Sequence, residues 1–160
     1  MPPRARPSAR PLPSAPKLQD TVRLSADGLA KVLGDLEARV LRAVWALGAP
    51  VPARAVHERV TEEHAVRPLT VITVLNRLVA KGLLAREKQD ERLHFRALMS
   101  EAEFTAHASR RVVEGVLAFA PEAVAASFVD VLADHDPGRL AELARRISAR
   151  LAERGHEPQV

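Results

Sequence analysis

The sequence predicts a mainly α protein with a small β-wing: an N-terminal winged helix-turn-helix followed by a C-terminal three-helix dimerisation region. Two observations predict this fold class. Apolar residues recur at helical spacing in six segments after residue 34, and a hairpin pattern stands between the third and the fourth. A chain of 160 residues suits one such small domain plus an oligomerisation element.

The first two helices are marked by their ends. Glu37 stands three residues after Gly34, where it can form half of a capping box, and Gly48 closes the first helix. The apolar stripe of this helix consists of Leu36, Val40, Leu41, Val44, Trp45 and Leu47. A second helix is predicted from Pro52 to about His64, because proline suits a first helical turn.

The third helix is predicted around Pro68 to Ala80, with Gly82 as a left-handed cap. Its apolar positions follow the i, i+3, i+4, i+7, i+8 pattern: Val71, Val74, Leu75, Leu78 and Val79. Helix geometry then places a polar set on the opposite face, with Ile72 at its edge: Thr70, Thr73, Asn76, Arg77 and Lys81.

A hairpin is predicted next, with strands at residues 83–88 and 93–98 joined by a polar turn of unclear type. Three helices follow. Ser100 and Glu103 form a capping box, Pro121 begins the second helix, and Asp136-Pro137 begins the third. Because these helices carry more apolar stripe than they can cover, a second copy is expected to complete their core through Phe104, Val112, Val116, Phe119, Val124, Phe128, Leu132, Leu140, Leu143, Ile147 and Leu151.

The net charge of +4 is unevenly distributed. Residues 66–96 carry seven Lys and Arg against three Asp and Glu, whereas residues 100–160 carry seven against ten. Six of the 12 prolines fall within the first 16 residues, among arginines. We therefore expect residues 1–25 to be a disordered basic arm, residues 33–99 a winged-helix domain, and residues 100–154 a helical dimerisation domain.

The composition also excludes several classes of protein. The absence of cysteine excludes a disulfide scaffold, a thiolate metal site and a thiol nucleophile. No apolar run reaches the length of a membrane span or of a signal peptide, so a cytoplasmic protein without membrane insertion is expected. The six histidines are scattered, and no Gly-x-Ser-x-Gly turn or phosphate loop is present. We expect no enzyme, no metal and no cofactor.

The polar face of the third helix has the chemistry of a major-groove reader. Thr, Asn and Arg side chains can meet base edges without bulky apolar groups in the way. Arg67 precedes this helix, and further cations surround it as candidate phosphate partners: Lys81, Arg86, Lys88, Arg92 and Arg96. Double-stranded DNA is therefore the expected partner.

Two segments resemble the penicillinase-repressor (BlaI/MecI/CopY) family of bacterial winged-helix transcription regulators. They are residues 33–37 (LGDLE) leading to Val44-Trp45, and residues 70–83 (TVITVLNRLVAKGL). The resemblance runs from about Leu33 to Leu151. It implies a homodimeric repressor on a pseudo-palindromic operator, with Thr70, Ile72 and Thr73 at positions that face bases.

The departures from the family pattern are also informative. Copper-responsive members carry a C-terminal cysteine site, so the lack of cysteine excludes that branch. Other members are inactivated when a membrane sensor triggers cleavage at an Asn-Phe bond, where this sequence has Ser127-Phe128. The resemblance thus also implies a sensor-protease partner. Glu91 stands at a wing position that is often basic in relatives.

Two alternatives stay open at this stage. One is a winged-helix module that binds another protein and no DNA. The other is a dimeric regulator of another winged-helix family that senses a small ligand. The DNA-binding candidates are Arg67, Thr70, Ile72, Thr73, Asn76, Arg77, Lys81 and Arg92.

Overall fold

A computed structural model describes residues 28–48 and 50–155. The predicted arm, residues 1–25, lies outside these described residues. In chain order the elements are a 3-10 helix (Gly28–Lys31), α1 (Asp35–Leu47), β1 (Val51–Pro52), α2 (Ala53–Thr61), α3 (Pro68–Ala80), β2 (Leu84–Gln89), β3 (Arg92–Ala97), α4 (Glu101–Phe119), α5 (Pro121–His135) and α6 (Pro137–Gly155). The predicted fold class, mainly α with a small β-wing, is confirmed.

The helix ends follow the predicted caps. The Gly34 N–H donates to Glu37 Oε2 at 3.1 Å, and the Ser100 N–H donates to Glu103 Oε2 at 2.7 Å. Gly82 has φ = 76°, a left-handed conformation that glycine adopts without a Cβ clash. These local signals place α1, α3 and α4 within a residue or two of their predicted bounds.

The sheet has three antiparallel strands in the order β1-β3-β2, one more than the sequence predicts. β1 is only two residues long, and Val51 pairs with Phe95 of β3. A pair this short leaves no period-2 pattern in the sequence, so only the tertiary structure reveals it. Because β1 lies between α1 and α2 in the chain, its pairing with β3 joins the end of α1 and the start of α2 to the wing.

The described chain divides into two compact units, one ending at Ser109 and the other beginning at Arg110. In the winged-helix unit (residues 28–109), α1, α2, α3 and the sheet enclose a core of fully buried side chains that includes Val40, Leu75 and Phe95. The division falls inside α4, whereas the predicted domains meet at residues 99 and 100. Those predicted limits stay a prediction.

Phe104 is a correction to the predicted dimerisation set. Its side chain is fully buried within the winged-helix unit, and its ring centroid lies 5.8 Å from that of Trp45. The Trp45 indole N–H donates to the Met99 carbonyl at 2.9 Å. The first turns of α4 are therefore part of the winged-helix core, because the Phe104 ring packs against Trp45 of α1.

The C-terminal unit (residues 110–155) contains the end of α4 with α5 and α6. Among these residues no side chain is buried. Across the described ranges, no single helix is long and apolar enough to cross a membrane; one pair, α4 with α5, passes by length and composition only when taken together, and it is bent by 120°.

Candidate nucleic-acid interface

The two faces of α3 differ in chemistry. Val71, Leu75 and Leu78 are fully buried against the rest of the winged-helix unit. Four of the five polar residues predicted for the other face are exposed, Thr70, Thr73, Asn76 and Arg77, whereas Lys81 is half-buried. Ile72 lies at the edge of this face and is 39% exposed. The structure therefore presents a mainly polar outward surface along α3.

The turn before α3 is held by side chains of α2. The carbonyl oxygen of Val66 only accepts, so the His57 Nε2 that lies 2.9 Å from it carries the proton and donates. Thr61 Oγ1 donates to the His57 carbonyl at 2.7 Å, and Arg39 of α1 pairs with Glu63 at 3.6 Å. Of these contacts, the His57–Val66 bond joins α2 to the turn that precedes α3.

Two of the candidate base-reading side chains already have partners within the protein. Thr73 Oγ1 donates to the Leu69 carbonyl at 3.0 Å, so its hydroxyl oxygen stays available as an acceptor and its methyl group stays exposed. Asn76 Oδ1 accepts from Arg86 Nη1 at 3.3 Å, which leaves the amide NH₂ as a donor. On this face Thr73 therefore offers an acceptor oxygen, and Asn76 offers an amide donor.

Several cations near α3 are neutralised by carboxylates of the protein. Lys81 Nζ lies 2.6 Å from Glu37 Oε2, and both side chains are largely buried. Arg96 Nε pairs with Glu87 Oε1 at 2.6 Å, and Lys88 Nζ pairs with Glu91 Oε2 at 2.7 Å. Lys81, a predicted DNA contact, therefore joins the end of α3 to the start of α1.

Three predicted DNA contacts are exposed guanidinium groups. Among the described residues, Arg67, Arg77 and Arg92 form no ion pair, so their charge is available to a phosphate. Arg67 and Arg77 line an open groove of about 620 Å³ that runs between α3 and the start of α1. Arg92 is the first residue of β3, at the tip of the wing.

The wing tip has a two-residue turn at Asp90 and Glu91, with φ = 47° and 64°. Two successive positive φ angles are typical of the type I′ turn, whose right-handed twist suits a hairpin. Asn-Gly favours this turn, and neither residue is present here, which is why the sequence left its type open. The turn places Arg92 beside the exposed Glu91.

Leu69 is the exposed residue of this face that sequence reasoning missed. It is 73% exposed in the first turn of α3. The available signal was its spacing: it stands four residues before Thr73 and seven before Asn76, which puts all three on one line along the helix.

The other ten predicted dimerisation residues lie in the C-terminal unit. Five are half-buried: Val112, Val124, Leu132, Leu140 and Leu143. The exposed ones are Val116, Phe119, Phe128, Ile147 and Leu151, with Phe119 exposed by 88%. Phe119 and Phe128 line an apolar cleft of about 370 Å³ between the end of α4 and α5.

A resolved pKa shift occurs at the start of α4. The pKa of Glu103 lies below its ordinary value, mainly because its carboxylate accepts the Ser100 backbone N–H and then the Ser100 hydroxyl; the charge of His107 adds to this.

The model of the penicillinase repressor family matches residues 33–149. The chain belongs to the penicillinase repressor family. The resemblance seen in the sequence is therefore confirmed. Family membership also agrees with the prediction that the protein is not an enzyme, because the family's description is that of a repressor.

Individual relatives match this chain over a shorter stretch than the family model does. The proteins named transcriptional regulator BlaI in two strains of Mycobacterium tuberculosis are 39% identical over 62 residues. The match covers 39% of this chain and 44% of each relative, so it spans less than half of their length.

A solved structure is also similar in part. It is titled as the mechanism by which 6-hydroxynicotinic acid regulates DNA binding of Bordetella bronchiseptica BpsR. It is 23% identical, covers 72% of this chain and 75% of its own, and has a TM-score of 0.34. At that TM-score it supports no structural conclusion.

Proposed function

We propose that the protein is a homodimeric transcriptional repressor that binds a pseudo-palindromic operator, with α3 of each copy in a major groove. The outward face of α3 carries this proposal. On the opposite side of the helix, Val71, Val74, Leu75 and Leu78 are buried in the core. With Leu69 in its first turn and Ile72 at its edge, the outward face exposes mainly hydroxyl, amide and guanidinium side chains. Those are the groups that read base edges in a groove that admits one helix.

The charges around α3 support the same role. Arg67 is the N-cap residue of α3, Arg77 lies on its exposed face, and Arg92 stands at the tip of the wing. Contacts of this kind to phosphates fix the register of a protein on the duplex, whereas base contacts supply the specificity. Lys81 is set apart from these three, because its ion pair with Glu37 already uses its charge.

The C-terminal unit supports the dimer. Its three helical segments bury no side chain among residues 110–155, and they expose Phe119, Phe128, Ile147 and Leu151. Apolar surface of this extent, arranged along helices, calls for a partner surface of the same kind. A second copy supplies it and would set two α3 helices one or more turns of DNA apart, about 34 Å per turn.

The inducing step stays a proposal of the family type. Ser127 and Phe128 lie within α5, where the backbone is helical and the side chains are exposed. A protease needs an extended backbone, so cleavage by a sensor-protease system at this bond would require local unfolding of α5.

DNA binding is tested by selecting bound fragments from genomic DNA and measuring affinity for the selected duplex and for random DNA at fixed salt. Thr73→Ala should lower the ratio of the two affinities. The expected loss of binding free energy on the selected duplex, relative to random DNA, is about 1–3 kcal/mol. Thr61→Ala is the matched control: Thr61 makes the same kind of hydroxyl-to-carbonyl bond four residues back, but on α2. Equal loss on both DNAs would show that Thr73 reads no base.

Dimerisation is tested by analytical ultracentrifugation of the full chain. The expected result is a dimer at micromolar concentration, and a stable monomer would contradict the proposal. If no fragment is selected and a pull-down instead returns a protein bound through α3, the chain is an interaction module. A small molecule that raises the melting temperature and releases DNA would indicate a ligand-sensing regulator.

A further inference from the structure

Leu69 lies on the outward face of α3, in the first turn of the helix. The buried residues Val71 and Leu78 lie on the far side of the helix, and Leu69 shares its line with Thr73 and Asn76. Among the described residues of the winged-helix unit, no other large apolar side chain is as exposed as Leu69, at 73%. It leads the polar face at the N-terminal turn, which is the part of a recognition helix that reaches base edges.

The surroundings of Leu69 are cationic and polar. It lines the open groove together with Arg67, Thr70 and Arg77. An apolar protein surface docked on Leu69 would have to desolvate these two guanidinium groups, which is costly unless they are paired. A DNA duplex removes that difficulty, since phosphates flank the groove into which the leucine would project.

The major groove offers one apolar group on its base edges, the C5-methyl of thymine. We propose that Leu69 is a specificity-determining residue that packs on a thymine methyl in each operator half-site. This inference rests on the proposed DNA binding of α3.

The neighbour on the same line fits an A·T pair. Thr73 has committed its hydroxyl proton to the Leu69 carbonyl, so toward DNA it offers an acceptor oxygen and a methyl group. Adenine presents its N6 amino donor in the same groove where thymine presents its methyl. Leu69 and Thr73 together therefore favour an A·T pair at the position reached by the first turn of α3.

The contact between Leu69 and a thymine methyl is tested by removing single methyl groups from the DNA. In the selected duplex, each thymine is replaced in turn by deoxyuridine, which removes the methyl and keeps the base pairing. We expect one position per half-site where the replacement weakens binding by roughly fourfold, the value of one buried methyl-sized group. The Leu69→Ala variant should bind the thymine and deoxyuridine duplexes equally.

The control is Leu47→Ala, because Leu47 is also partly exposed but lies at the end of α1. It should keep the deoxyuridine sensitivity. Fluorescence of Trp45, the one tryptophan of the chain, checks that both variants are folded.

The outcomes separate the two proposals. If no duplex is selected, the proposed function itself fails and this inference falls with it. If a duplex is selected but no thymine is sensitive, or if Leu69→Ala keeps the full sensitivity, then the role of Leu69 is wrong while DNA binding stands.

Discussion

The winged-helix unit and the C-terminal unit contain similar types of apolar residue, but they differ in how far these residues are buried. In the winged-helix unit, side chains such as Val40, Leu75 and Phe95 are fully buried. In the C-terminal unit, from residue 110 to residue 155, no side chain is buried, and Phe119 and Leu151 face outward.

The difference shows what an apolar stripe needs in order to stabilise a fold. α1, α2, α3 and the sheet turn their stripes toward a common centre, so the unit completes its own core. α6 carries a stripe as regular as theirs, but the helical segments of the C-terminal unit leave much of their apolar surface uncovered. We therefore expect the first unit to be stable within one chain and the second to be stabilised by the second copy that we propose.

The largest expected effect distinguishes the two units by stability. Leu75→Ala should lower the free energy of unfolding of the winged-helix unit by about 2–5 kcal/mol, because it leaves a cavity in a closed core. Leu151→Ala, at a concentration where the protein is monomeric, should leave the unfolding curve followed by Trp45 fluorescence almost unchanged. Equal losses would contradict the comparison.

The second effect concerns association. Ile147→Glu should weaken dimerisation roughly a hundredfold, because two carboxylates would be buried in an apolar interface. Sedimentation equilibrium measures the change. Ser148→Glu is the control, since it adds the same charge one residue further along α6, away from the apolar stripe. A dimer unaffected by Ile147→Glu would place the interface elsewhere.

The third effect distinguishes two cations of the winged-helix unit: Lys81, which is paired with Glu37, and the exposed Arg77. Lys81→Met should cost about 1–3 kcal/mol of stability, because the largely buried Glu37 carboxylate loses its partner. Arg77→Met, on the same helix and exposed, should keep the stability but weaken DNA binding and reduce its salt slope by about one. Urea unfolding and binding titrations at several salt concentrations separate the two. If Lys81→Met changes only the salt slope, Lys81 is a phosphate contact after all.

The smallest effect lies at the start of α4. The pKa of Glu103 is lowered in the folded state, so its stabilisation is present above the pKa of the unfolded chain and is lost as the pH falls through the folded-state value. Melting temperatures measured from neutral pH down through that range should show a small loss that Glu103→Gln abolishes. Glu101→Gln, in the same helical turn, should keep the pH dependence.

Much of the fold was predictable because its signals are local. The bounds of α3 follow from Pro68 at its first turn and from Gly82 after its end, and both act through their own backbone conformations. β1 was not predictable, since Val51 and Pro52 become a strand only when β3 lies beside them.

The candidate site shows the same division. The exposed hydroxyl, amide and guanidinium groups of α3 were predictable from helical spacing. Contacts between distant residues were not predictable. Lys81 pairs with Glu37, which lies 44 residues earlier in the chain. Phe104 packs on Trp45 of α1. Leu69 was missed because an apolar residue at the start of a helix is usually assigned to the core.

The helices, their caps, the polar face of α3 and the family could all be predicted from the sequence, because each depends on residues close in the chain or on a contiguous motif. The tertiary structure was needed to show which cations pair with carboxylates, which aromatic ring joins the winged-helix core, and which unit leaves its apolar residues exposed. Those outcomes depend on side chains brought together across long stretches of chain, where burial and pairing are settled by packing and by charge neutralisation.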